Sequence, residues 1–448
     1  MKTRILTLAL LFLWSGNAFA QSYTPDILSL RDQAKVMDEW TLYRLEHLVP
    51  KLMEREGIDM WVLVAREYNE DPVLLTMLPA TWQSSRRTTI LMFFNPGDGR
   101  PFERLAVARY NIGFFETQWF VEDEPDQWKR FGQIVAERNP QKIGLNFSEH
   151  HSHADGIALT DYLNLKNSLS EELQSRIVSA ENLSLGWLET RTPQEMTVYR
   201  QISRIAHHII EEGLSEAVIT PGITTTTDVQ WWFRERIAEL KLSAWFHPTV
   251  QVIRSGQTEH TGDFSGSYDL NVIQPGDIIH MDLGITYLGL TTDTQRKAYV
   301  LRQGETAPPK GLVDALKIGN RLQDILTAEF RTGRTGNEIL KSALEKARAE
   351  GINATIYTHP LGYHGHGAGT TIGLWDAQGG VPGAGDYPLF PNTAHSIELN
   401  AEVFIPEWNR NIRIMLEENA IFDGENVFYI DGRMTEFYLI PRGWGGRK

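Results

Sequence analysis

The 448-residue chain contains no cysteine. That excludes disulfide scaffolds, thiol nucleophiles, iron–sulfur clusters and every zinc site built on sulfur, so a bound metal must be held by His, Asp and Glu. Basic residues are also scarce, with 43 Lys+Arg against 57 Asp+Glu and a formal charge of -14. A general nucleic-acid binder carries the opposite balance. Beyond the first twenty residues no apolar run escapes interruption by Arg, Asp or Glu, and none reaches the roughly 20 residues a membrane helix needs. With 42% hydrophobic residues and 22% charged, the chain can bury a core, and its length predicts two domains or three.

What is present begins with an address. Lys2 and Arg4 precede an almost wholly apolar stretch from Ile5 to Trp14, and Ala18-Phe19-Ala20 matches an A-x-A cleavage site. Residues 1–20 therefore read as a secretory signal peptide, and the mature protein is expected to be exported, periplasmic or secreted. Residues 25–187 then read as an α/β domain. The Leu28–Gly57 stretch has helical spacing, and Ile58–Val64, Thr88–Phe94 and Lys142–Asn146 read as strands. Thr192-Pro193-Gln194-Glu195 has the form of a helix start: cap, N1 proline and a Glu at N3. It opens a second domain over 192–445, with helices expected at 194–217, 227–241 and within 312–350, between strands and Gly-rich turns.

The second domain holds the chemistry. Asp282 and Asp293 each interrupt a strand-like run, eleven residues apart with Gly289 in the turn region between them. An antiparallel hairpin brings two such carboxylates to one face, opposite or diagonal, where a cation between them offsets their repulsion. Read alone, the pair fits two solvated carboxylates equally well. The rest of the chain decides: His366 stands in the Gly-rich loop Tyr363-His364-Gly365-His366-Gly367-Ala368-Gly369, and Glu398 and Glu417 each stand in an apolar strand-like run. One imidazole and four carboxylates suit two divalent ions such as Mn, Fe, Co or Zn. Glu418 rivals Glu417, because only one of two consecutive strand residues can face the metals.

The order Asp282, Asp293, His366, Glu398, Glu417 resembles metallopeptidase family M24, which has the pita-bread fold of methionine aminopeptidase, Xaa-Pro aminopeptidase and prolidase. Gly57-Ile58-Asp59-Met60-Trp61-Val62 and Gln274-Pro275-Gly276-Asp277 extend the resemblance over nearly the whole chain. It implies an α+β fold: a pita-bread catalytic domain preceded by a creatinase-type α/β N-terminal domain. It also implies an aminopeptidase or dipeptidase of Xaa-Pro type acting on small peptides, two divalent ions with manganese favoured, and a homodimer. In that frame Asp293 and Glu417 bridge the metals, Asp282 completes one, and His366 and Glu398 complete the other. Glu398 also relays a proton, while His260 and His359 are candidates for contact with substrate.

Three departures stand out. Relatives carry a second histidine seven residues after the ligand histidine, a position occupied here by Gly373. His260 lies farther before Asp282 than usual, and Met415 and Leu416 intervene between the Ile412-Arg413-Ile414 run and Glu417. A metal-dependent lyase, a small C–N hydrolase and a non-catalytic binding protein therefore stay open as alternatives. The His150-His151-x-His153 tract reads as a solvated loop of the first domain, apart from the ligands.

Overall fold

The computed structural model describes residues 26–256 and 271–442. His260 and the signal-peptide segment lie outside the described residues. The N-terminal part is built on a six-stranded sheet. Its order is Glu116–Thr117, Glu103–Val107, Thr88–Phe94, Met60–Arg66, Ile143–Leu145, Ile177–Ser179. Strand Met60–Arg66 runs antiparallel to Thr88–Phe94, with Val62 opposite Met92, and parallel to Ile143–Leu145. It is apolar throughout because both faces are covered. Trp61, Leu63 and Ala65 pack towards Leu45 and Leu52, whereas Met60, Val62 and Val64 pack towards Phe131 and Ile134.

The single helix expected over 28–57 is two, Leu30–His47 and Val49–Glu56. Pro50 lacks the N–H that would continue the first helix, and it occupies the opening turn of the second. The helix expected from 194 is Pro193–Gly213, with the capping box of Thr192 and Glu195 complete. Glu195 does more than cap this helix. Buried, it pairs with Arg44 at 3.0 Å and Arg191 at 3.3 Å. The start of this helix is thus tied to helix Leu30–His47.

Three sheets position the chemistry. Strand Ile278–Leu283 pairs with Thr294–Val300 on one side and Thr249–Ile253 on the other. Strand Leu399–Ile405 lies between Arg410–Leu416 and Asn353–Ile356. Strand Thr393–Ser396 lies between His359–Leu361 and Asn419–Phe422. Helices Lys310–Thr327 and Gly336–Ala349 cover the second of these, Leu316, Leu322 and Leu340 meeting Leu399, Ala401 and Leu416. Their other side is polar, as a helix packed on a sheet by one stripe requires.

The two aspartates do not face each other in one plain hairpin. A smaller one, Ile285–Tyr287 with Leu290–Thr291, is inserted between their strands. Its turn is Leu288-Gly289, with φ 53° and 75°, the left-handed pair that lets a two-residue turn follow the strand twist. Register then sets Asp282 opposite Gln295, so Asp293, two residues before Gln295, is diagonal to Asp282 on the same face.

Candidate metal centre

The site is a row crossing several strands. Asp282 is opposite Gln295, and Gln295 bridges to Glu417. Glu417 is next to Leu416, which pairs with Leu399, so extending that register by one residue sets Glu417 opposite Glu398. Opposed residues of antiparallel strands share a face, with Cβ atoms about 4.5–5.5 Å apart. The row therefore gathers four polar side chains from segments far apart in sequence. The Gln295 side-chain amide donates to Glu398 Oε1 at 2.7 Å, and the Ser396 hydroxyl donates to Glu417 Oε1 at 2.6 Å. Asp293 joins through its backbone, its N–H donating to Asn419 Oδ1 at 2.9 Å.

Three of the four carboxylates keep an unanswered demand. Asp282 Oδ1, Asp293 Oδ1 and Glu417 Oε2 are buried and have no hydrogen-bond partner. Burial pushes the Asp282, Asp293 and Glu398 carboxyls well above the usual range, and the charge of Glu417 adds to it. Burial likewise pushes Glu417 up to about 7. Buried carboxylates crowded this closely need either protons or cations.

His359 stands among them. Its Nε2 lies 3.6 Å from Asp293, 3.8 Å from Glu398 and 3.5 Å from Glu417. Its Nδ1 is 3.1 Å from the Pro360 carbonyl oxygen. A carbonyl can only accept, so Nδ1 carries the proton and Nε2 presents a bare lone pair. Burial lowers the ring's pKa to about 4, which keeps it neutral. Nε2 has no hydrogen-bond partner either. Three triads of donor atoms, each within 4.8 Å, overlap here: Asp282/Asp293/Glu417, His359/Glu398/Glu417 and Asp293/His359/His366. The unpartnered oxygens and nitrogen converge, and an oxygen-rich set with imidazole fits divalent cations.

All five ligands expected from sequence meet at this place, and His359 joins them at the centre. His366 is at the rim: its side chain is exposed, and its ring meets that of His359 at 4.8 Å, edge to face. The 363–366 loop lies against Trp245, whose ring is 5.1 Å from His366. A Cβ on Gly365 would come within 2.1 Å of that indole, so only glycine permits the approach. Gly373 is a different matter. With φ +75° and a hypothetical Cβ 2.3 Å from the Ile356 carbonyl, it is a backbone requirement and has no room for a histidine.

Glu418 is turned to the opposite side. It pairs with buried Arg296 at 2.8 Å and accepts the Met434 N–H at 2.7 Å. Arg296 in turn reaches His207 Nε2 at 2.7 Å, and His207 Nδ1 is 3.1 Å from Asp431. His207 thus belongs to this support.

The histidine tract of the N-terminal part is not apart from the site. His153 and His364 have ring centroids 4.5 Å apart, two residues from His366. No spacing rule could link these loops, since the contact is made between the two halves of the chain. Tyr357 was also missed. It is opposite Glu398 by extension of the Ile356–Leu399 register, but an aromatic residue in a strand carries no signal distinguishing it from core.

A family model described as metallopeptidase family M24 matches residues 198–422. Among solved structures, X-Pro aminopeptidase from Thermotoga maritima has a TM-score of 0.59 at 16% identity, covering 86% of this chain and 99% of that one. Xaa-Pro dipeptidase from Bacillus anthracis has a TM-score of 0.56 at 17% identity, covering 92% and 100%. A variant of Escherichia coli aminopeptidase P has a TM-score of 0.58 at 13% identity, covering 91% and 96%. No curated protein matches.

Proposed function

Since the chain belongs to metallopeptidase family M24, with the matched residues 198–422 making up half of it, we propose that it is a di-metal exopeptidase. It removes the first residue of small peptides, with Xaa-Pro bonds as the leading candidates, and acts after export. The observation carrying this reading is the convergence of buried, unpartnered Asp282, Asp293, Glu417 and His359 atoms on one spot. Asp282, Asp293, His359, Glu398 and Glu417, which supply the overlapping donor triads, would hold two cations. Two cations bound there would supply an activated water and polarise the scissile carbonyl; manganese is the favoured metal.

The protein's own groups carry the rest. Glu398 is held by Gln295 at the edge of the cluster, where it can pass a proton from the attacking water to the leaving amine. The spacing of His359 and His366 supports a particular division of labour. They are seven residues apart, the interval that relatives keep between a ligand histidine and a substrate histidine. His359 is then the ligand, and exposed His366 contacts the substrate near the scissile bond. On this reading Gly373 replaces nothing, and the departure that kept a lyase open loses its force.

The test is metal content by mass spectrometry on gently purified mature protein, paired with hydrolysis of Xaa-Pro and Xaa-Ala peptides. About two metals per chain with metal-dependent release of the first residue supports the reading. Metal-loaded, folded protein that cleaves neither series ends it.

A further inference from the structure

The row of site residues does not stop at Glu398. The Tyr357 N–H donates to the Glu398 carbonyl at 3.1 Å, and continuing the register of Ile356 opposite Leu399 sets Tyr357 opposite Glu398. Tyr357, Glu398, Glu417, Gln295 and Asp282 thus form one line of neighbours on a single face. The phenol is the only neutral hydroxyl in that line.

Its hydrogen bonding is incomplete. Asn400, two residues after Glu398 and on the same face, points its side-chain amide at the Tyr357 oxygen from 3.5 Å. There the hydroxyl accepts, at the limit of a hydrogen bond. Among the described residues it donates to none. A tyrosine kept only for packing would place this proton on a nearby acceptor. Tyr357 is half-buried. A phenol ordinarily titrates near 10, so the hydroxyl carries its proton at neutral pH. A neutral donor beside a cluster of carboxylates has one use the carboxylates lack: stabilising negative charge.

We propose that Tyr357 is a catalytic residue whose hydroxyl donates a hydrogen bond to the scissile carbonyl oxygen as that oxygen gains charge. Water oxygen bonds to the carbonyl carbon, and the π pair moves onto the carbonyl oxygen. The oxyanion pair then re-forms the carbonyl as the carbon–nitrogen bond breaks with its pair on nitrogen, and the two protons of the water pass by way of Glu398 to that nitrogen, leaving a carboxylate and a protonated amine. Tyr357 keeps its proton throughout. Donors of this kind act chiefly on the transition state, and removing one lowers kcat by about 10²–10³.

The inference rests on the exopeptidase reading, and the experiment separates the two. In full-length, metal-loaded protein, Tyr357→Phe is compared with wild type in four measurements: metal content, thermal melt, kcat and KM on the best peptide, and calorimetric affinity for a phosphinic dipeptide isostere. The expected result is an unchanged melt and unchanged metal content, KM within a few-fold, and kcat down by about 10²–10³. The phosphinate, which mimics the charged tetrahedral geometry, should weaken by a comparable factor, while affinity for the free product amino acid stays constant. Wild type that cleaves no peptide ends the exopeptidase reading, and the phosphinate then judges Tyr357 by itself. Equal phosphinate affinity in the two proteins, a kcat within threefold of wild type, or a loss confined to KM or to metal content overturns the proposal.

Discussion

Glu417 and Glu418 are consecutive and both 1% exposed, yet they face opposite sides of one backbone. Glu417 accepts the Ser396 hydroxyl and meets the unpartnered carboxylates, whereas Glu418 is neutralised by Arg296 at 2.8 Å. The same residue type serves two purposes because strand side chains alternate. Neutral substitutions at the two positions should therefore fail differently.

Glu417→Gln is expected to lose at least one metal per chain, with little loss of stability in the metal-free state. Glu418→Gln leaves buried Arg296 uncompensated, a change that costs about 3–5 kcal/mol, while metal content at low temperature persists. Paired thermal melts and metal analysis check this. Equal metal loss in both variants contradicts the division of the two faces.

His359 and His366 should separate in the same manner. His359→Ala removes a nitrogen surrounded by three carboxylates and is expected to lower metal occupancy. His366→Ala acts at the exposed rim, so it should keep both metals while kcat falls by about 10²-fold or more. Metal titration followed by steady-state kinetics reads both effects, and a reversed pattern would return the ligand role to His366.

Chelation should destabilise the fold, and more so at pH 8 than at pH 5. The Glu417 carboxyl is raised from 4.5 to about 7, so in the metal-free protein its contribution is fully present below 4.5 and is lost as pH rises towards 7. Restoring metal at 100 times its Kd recovers about 2.7 kcal/mol. Melts of chelated and reloaded protein across pH 5–8 should therefore diverge with rising pH; parallel curves would count against the cluster as the metal site.

A second titration lies outside the site. Buried Glu189 accepts the Tyr387 hydroxyl at 2.8 Å, and its other oxygen has no hydrogen-bond partner. Burial lifts its pKa from 4.5 to about 8, against the opposing pull of Tyr387, Arg55 and Arg191 and with a small push from Glu56. Its pKa is raised on folding, so its stabilisation is complete below 4.5, declines across 4.5–8 and is gone above. Glu189→Gln, which cannot ionise, should show a flatter melting temperature over that window than wild type. An identical slope in the two proteins would mean the carboxyl is ionised at neutral pH.

Much of this protein can be read from local sequence. The cap and N3 Glu at Thr192 and Glu195 specify a helix start through bonds spanning three residues. Met60–Arg66 and Thr88–Phe94 announce themselves as strands because both faces are apolar. The order of Asp282, Asp293, His366, Glu398 and Glu417 identifies the family, since carboxylates inside apolar strands are costly to bury unless a cation or a proton offsets their charge. Tertiary structure alone decided the rest. Which of His359 and His366 enters the carboxylate cluster, which of Glu417 and Glu418 faces it, and that His153 meets His364 all depend on register and packing between segments dozens of residues apart. A one-residue slip in that register reverses every side chain, and no interval counted along the chain records it. The row from Asp282 to Tyr357 exists only once the strands are paired.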